Sequence, residues 1–96
     1  HIDRLKEHFS PIPGFKATYK LTIDNKNVAI MVSGGDLDIK KENISKADVE
    51  LNLADEVMNE ITAGRMTFQR AFMGGSMTMK GDFAQMRSLD EIFTFM

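Results

Sequence analysis

The sequence has 96 residues, 43% of them apolar and 27% charged, with a formal charge of −2 and a pI near 5.6. That is one domain of ordinary globular composition, without the positive field that generic phosphate-backbone binding requires, so nucleic acid is not an expected partner. With no cysteine there is neither a disulfide framework nor a thiolate metal site, which fits a reducing compartment.

The longest apolar run, Val28 to Val32, is far short of the roughly 20 residues of a membrane span. No basic-then-apolar signal pattern opens the chain, and a cytoplasmic protein trimmed ahead of His1 is expected. His1 to Phe9 sets Ile2, Leu5 and Phe9 at helical spacing, the tail of an amphipathic helix that Ser10-Pro11-Ile12-Pro13-Gly14 then stops. From Phe15 the period becomes two. Phe15, Ala17, Tyr19, Leu21 and Ile23 alternate with Lys16, Thr18, Lys20 and Thr22, which predicts a half-buried strand. Asp24-Asn25-Lys26-Asn27 has turn composition, and the β-branched run Val28 to Val32 completes a hairpin. Ser33-Gly34-Gly35-Asp36 turns the chain into a third strand, Leu37 to Lys40. After a polar loop, Val49, Leu51 and Leu53 alternate with Asp48, Glu50 and Asn52 as a fourth strand.

Asp55 to Ala63 returns to helical spacing, with Val57, Met58 and Ile61 on one side, acidic residues in the first turn and Gly64 as the stop. Thr67 to Met73 is a shorter helical piece, with Phe68 and Phe72 four apart, and Ser76 to Lys80 alternates as a fifth strand. Because helices separate strands four and five, these two are expected to pair in parallel through a right-handed crossover. Asp82 and Gln85 have capping-box spacing. Behind them Phe83, Met86, Leu89, Ile92, Phe93 and Met96 occupy about half the circumference of a last helix.

Candidate chemistry is sparse. His1 and His8 lack the spacing of a metal pair, and Gly74-Gly75-Ser76-Met77-Thr78 puts Thr78 where a nucleophile elbow needs glycine. Asp55, Glu56, Glu60, Asp90 and Glu91 read as first-turn or solvated charges. No catalytic residue, metal ligand or cofactor is expected. Arg65, Arg70, Lys80 and Arg87 read as solvated surface, with an anionic head group or a membrane surface as the partner they would meet. Seven of the eight methionines, Met58, Met66, Met73, Met77, Met79, Met86 and Met96, lie in the C-terminal half beside Phe68, Phe72, Phe83, Phe93 and Phe95. Methionine repacks around ligands of varied shape, although composition alone favours plain core filling.

Three fragments carry a resemblance: Ala47-Asp48-Val49-Glu50-Leu51-Asn52-Leu53, then Gly64 with Arg65, then Ala71-Phe72-Met73-Gly74-Gly75-Ser76-Met77-Thr78-Met79-Lys80-Gly81-Asp82. Together, in order and spacing over about residues 15 to 96, they resemble the type-two sterol carrier protein family. The resemblance implies an α+β fold in which a five-stranded, mostly antiparallel sheet is covered on one face by helices enclosing an apolar tunnel. It implies a non-catalytic carrier of a fatty acid, fatty acyl-CoA, sterol or similar lipid. On that basis Met58, Ile61, Phe68, Phe72, Met73, Met77, Met79, Phe83, Met86, Leu89 and Phe93 become candidate lipid-binding residues, with the cavity expected between the last helix and the sheet. Departures are a first helix shorter than the family's, Ser76 where lysine is common, and no Ser-Lys-Leu type of peroxisomal address at Phe93-Thr94-Phe95-Met96. An accessory or dimerisation module of a larger enzyme, or a small acyl hydrolase, stand as alternatives. Ligand identity and oligomeric state are left open by the residues.

Overall fold

The computed structural model describes residues 1–95. Its elements in chain order are α1 (Ile2–Glu7), β1 (Lys16–Ile23), β2 (Lys26–Ser33), β3 (Asp36–Lys40), β4 (Val49–Leu53), α2 (Asp55–Thr62), α3 (Phe68–Met73), β5 (Met77–Gly81) and α4 (Phe83–Ile92). The strands form one open sheet in the order β3-β2-β1-β4-β5.

Alternation becomes a single apolar face through register. Tyr19 stands opposite Ile30 and Val49, Leu21 opposite Val28 and Leu51, Leu51 opposite Met79, and Leu53 opposite Met77. A strand presents every second side chain to the same side, so these residues line one surface, and helices α1 to α4 cover it with Leu5, Met58, Ile61, Phe68, Ala71, Met86, Leu89 and Ile92, all nearly inaccessible. The opposite face carries Thr18, Lys20, Thr22, Glu50, Asn52, Thr78 and Lys80. The β1–β2 turn is a two-residue one. Asp24 and Asn25 both adopt the left-handed conformation, at φ 48° and 67°, as a type I′ hairpin requires and as Asp and Asn tolerate better than most residues.

The expected parallel pairing of strands four and five is corrected. β4 and β5 pair antiparallel, and the parallel pair is β1 with β4. The reason is the number of helices. One crossover helix returns the chain to the start of the strand it left, whereas two in succession, α2 and α3, bring it back to the end at which β4 finished. Residues 41–48 make the parallel connection instead, carrying the chain from edge strand β3 past β2 and β1. Asp48 fixes the landing: its amide donates to the Thr18 carbonyl at 2.9 Å, and its carboxylate accepts from the Thr18 amide at 2.8 Å.

The last helix also ends sooner than its apolar pattern. Phe93 is extended, at φ −123° and ψ 109°, because the chain there pairs with the segment after α1. The Ser10 amide donates to the Ile92 carbonyl at 2.6 Å and the Thr94 amide to the His8 carbonyl at 3.1 Å, with Phe9 bridged to Phe93. Met96, placed on the helix face by spacing, lies outside the described residues. The expected capping box is half formed. The Asp82 carboxylate accepts from the amides of Ala84 (2.8 Å) and Gln85 (3.3 Å). Its reciprocal arm is not made: the Asp82 amide donates to the Asp48 carbonyl at 3.3 Å, and the Gln85 side-chain oxygen is buried without a partner among the described residues.

Candidate functional site

The candidate residues divide by depth. Met58, Ile61, Phe68, Met77, Met86, Leu89 and Phe93 are buried between helices and sheet, and Phe72 and Met79 pack half-buried against them. Phe83 and Met73 stand outside that layer, 40% and 71% exposed. Phe83 is tied to the seam between α3 and α4 by a tilted ring contact with Phe72, centroids 5.8 Å apart. Exposed Met73 and Phe83 lie at i+3 and i−4 from Arg70 and Arg87 on their respective helices, spacings that put each pair on one helix face.

Tyr19 holds α4 against the sheet from below. It is fully buried, and its hydroxyl donates to the Gln85 carbonyl at 2.8 Å. Burial first, and then the charges of Asp48 and Asp82, push its pKa far up, so the phenol stays a neutral donor and has no acid–base role near neutral pH.

Where α2, the start of α3 and the end of α4 meet, there is an opening of about 240 Å³ lined by Ile61, Gly64, Arg65, Met66, Thr67, Arg70, Asp90, Phe93, Thr94 and Phe95. Ile61 and Phe93 form its buried floor, Met66 and Phe95 its half-buried walls, and Arg65, Thr67, Arg70 and Thr94 its exposed rim. Phe95 stacks on Phe93 with centroids 6.4 Å apart. The rim cations differ. Arg65 is held by Glu60 through contacts of 2.7 and 3.3 Å, and that hydrogen bond lowers the Glu60 pKa below its usual value. Arg70 has no ion-pair partner among the described residues.

Asp90 is the residue that spacing misread. It is half-buried in the second half of α4, and it caps another helix: its two oxygens accept from the backbone amides of Phe68 (2.7 Å) and Gln69 (3.0 Å) at the start of α3. Thr67 takes a third orphan amide there, that of Arg70, at 3.0 Å. Thr67, which spacing placed inside the helical piece, stands at its cap position. A carboxylate arriving from more than 20 positions further on carried no local signal. Burial raises the Asp90 pKa, the two amide bonds oppose the rise, and neighbouring Glu91 adds to it.

Among the described residues no group of three or more His, Cys, Asp or Glu could hold a metal ion, and no helix is long and apolar enough to cross a membrane.

A family model described as the SCP-2 sterol transfer family matches residues 3–94. Comparison with curated proteins gave no match. Among solved structures, a double mutant of a sec-alkyl sulfatase from Pseudomonas sp. superposes with a TM-score of 0.83 at 18% identity, over 96% of this chain and 15% of that one. The palmitated sterol carrier protein 2-like 2 of Aedes aegypti superposes with a TM-score of 0.73 at 20% identity, over 95% and 88% of the two chains. Apo sterol carrier protein 2 of Yarrowia lipolytica gives a TM-score of 0.62 at 21% identity, over 96% and 75%. The chain thus spans about 15% of the sulfatase's length and most of the length of the two carrier proteins. At these identities the structural likeness concerns the fold.

Proposed function

The chain belongs to the SCP-2 sterol transfer family, and from that premise we propose that it is a non-catalytic lipid-binding and lipid-transfer domain whose ligand is a fatty acid, fatty acyl-CoA, sterol or similar lipid. The observation that carries the reading is the family match over residues 3–94 on a fold whose helix–sheet layer is almost wholly apolar. Three acidic residues have structural partners that account for them: Asp90 accepts a backbone amide on each carboxylate oxygen, and Asp48 and Asp82 each accept on one oxygen.

The proposed mechanism is physical. Nine of the eleven candidate residues, all but the exposed Met73 and Phe83, would line the bound lipid, yet most are already packed against one another, so a bulky ligand enters only if helices shift on the sheet. Methionine suits such a layer, because its unbranched side chain and soft sulfur repack at low cost. We assign ligand entry to the opening beside Ile61 and Phe93, where α2, α3 and α4 meet. Contact with a membrane surface, needed for loading, is assigned to the exposed Met73 and Phe83 with Arg70 and Arg87 beside them.

Each methylene moved from water into this layer contributes about 0.8 kcal/mol, close to a fourfold gain in affinity. Titration with fatty acids of increasing length should therefore show dissociation constants falling steadily to a plateau. Affinity that is flat across the series would sink the carrier reading. The half-buried wall residues give a second check. Phe72→Ala and Met79→Ala should each destabilise by less than about 2 kcal/mol, against the roughly 3 to 5 of a packed phenylalanine, while ligand preference moves toward bulkier lipids. Denaturant melts beside binding curves for a short acyl chain and a sterol decide it; large destabilisation with unchanged preference would return both residues to the core.

A specific observation keeps a second reading in place. The superposition on a short segment of a much longer sulfatase fits a module that serves a catalytic domain, with the apolar layer receiving the alkyl part of its substrate. A catalytic domain in the same gene would favour it.

A further inference from the structure

The opening at the α2–α3–α4 junction combines an apolar floor with an unequal pair of cations, and that combination selects a class of ligand. We infer that it is a subsite for a short alkyl chain ending in an anion, with the tail on Ile61, Met66, Phe93 and Phe95 and the head group at Arg70. The inference rests on the lipid-binding reading and narrows it.

Size sets the tail. About 240 Å³ is below the roughly 300 Å³ at which drug-sized pockets begin, so the opening suits a short alkyl chain. Charge sets the head. Arg65 is occupied by Glu60, and Asp90 has an α3 amide on each oxygen, so the cation left to receive an incoming anion is Arg70. A planar guanidinium pairs with carboxylate and sulfate alike through two parallel N–H donors. Asp90 limits the strength, because its own negative charge lines the same opening. A neutral head group would gain nothing from the rim and would bind through the tail alone.

The test uses three probes of equal chain length, octanoate, octyl sulfate and 1-octanol, titrated into the whole chain at low salt and followed by backbone amide shifts. The two anions should bind about three- to tenfold tighter than the alcohol, a range set by a charge-assisted bond at an exposed rim. Their shifts should centre on residues 61–70 and 90–95. Arg70→Gln removes the charge and leaves a shorter polar side chain; it should erase the advantage of both anions and leave 1-octanol unchanged. Lys80→Gln, an equal charge change on β5, should leave all three as they were, which separates a local pair from net charge. Equal binding of anions and alcohol, an Arg70→Gln variant that retains the preference, or shifts centred elsewhere would each overturn the subsite. A long-chain lipid that binds while none of the octyl probes does would overturn the subsite and leave the carrier reading standing. Failure of every lipid would remove both.

Discussion

Gly81→Ala is expected to destabilise the domain by more than about 3 kcal/mol, because two independent costs of the substitution fall on one backbone contact. Gly81 has φ +115°, and a Cβ built there would lie 2.2 Å from the Asp48 carbonyl oxygen and 3.1 Å from the Asp48 carbonyl carbon and the Val49 Cα. All three are backbone atoms, so no side chain can swing aside. A non-glycine residue held at such a φ costs about 1 to 3 kcal/mol by itself. Relief of the overlap must then move Asp48, whose amide and carboxylate fasten β4 to Thr18 of β1 and whose carbonyl accepts the Asp82 amide at the start of α4. One methyl group therefore loads the β1–β4–β5 junction and the last helix together. For a domain of this size the midpoint should fall by more than about 12 °C, at roughly 4 to 8 °C per kcal/mol. Gly35→Ala is the control. Its added Cβ meets nothing within 4 Å, and its φ lies outside the left-handed range, so its melt should stay within about 1 kcal/mol of the wild type. A Gly81→Ala melt equally close would mean that the Asp48 carbonyl yields without consequence.

The strands were legible because their signal is local. Phe15 to Ile23 alternates without a break, and one half of that alternation is the buried face of β1. The same holds for Val49, Leu51 and Leu53 in β4. Pairing was less legible, since it depends on what lies between strands. Two short helices and the loop at residues 41–48 decide which neighbours run parallel, and neither side-chain period reports the direction in which a connection returns. The end of α4 shows a related effect. Phe93 continues the apolar stripe by spacing, yet the amide of Ser10 captures the Ile92 carbonyl, a partner more than 80 positions away.

The candidate layer was legible as composition and only partly as placement. Methionines and phenylalanines crowd the C-terminal half, and most of them do meet between helices and sheet. Depth was not readable, because Phe72 and Phe83 touch each other while one is half-buried and the other 40% exposed. Arg65 and Arg70 looked alike in sequence. What distinguishes them is Glu60, which sits five positions before Arg65 and takes its guanidinium.

Asp90→Ala is the second large effect expected, about 2 to 4 kcal/mol, and it follows from what the carboxylate leaves behind. Removing a cap from an exposed helix costs typically about 1 kcal/mol. Here two part-buried amides, those of Phe68 and Gln69, lose their acceptor at once, and each orphaned buried donor costs about 1 to 3 kcal/mol. Phe68 is itself fully buried, so water reaches its amide poorly. Asp90→Asn should cost less, because one side-chain oxygen still accepts while the amide group faces the second donor. The pH dependence separates the cap from mere packing. Burial holds the Asp90 pKa above its ordinary value, so the folded state binds the proton more tightly than the unfolded chain, and stability from this group falls as pH rises through the ordinary aspartate value of about 3.9 toward the raised one. The stability difference between wild type and Asp90→Asn should accordingly shrink as pH rises across that window and stay constant above it. Denaturant melts of the three proteins between pH 3 and pH 7 measure it. A difference that instead grew with pH would show that the two amide bonds outweigh burial, and an Asp90→Ala loss below about 1 kcal/mol would mean that Thr67 alone suffices to start α3.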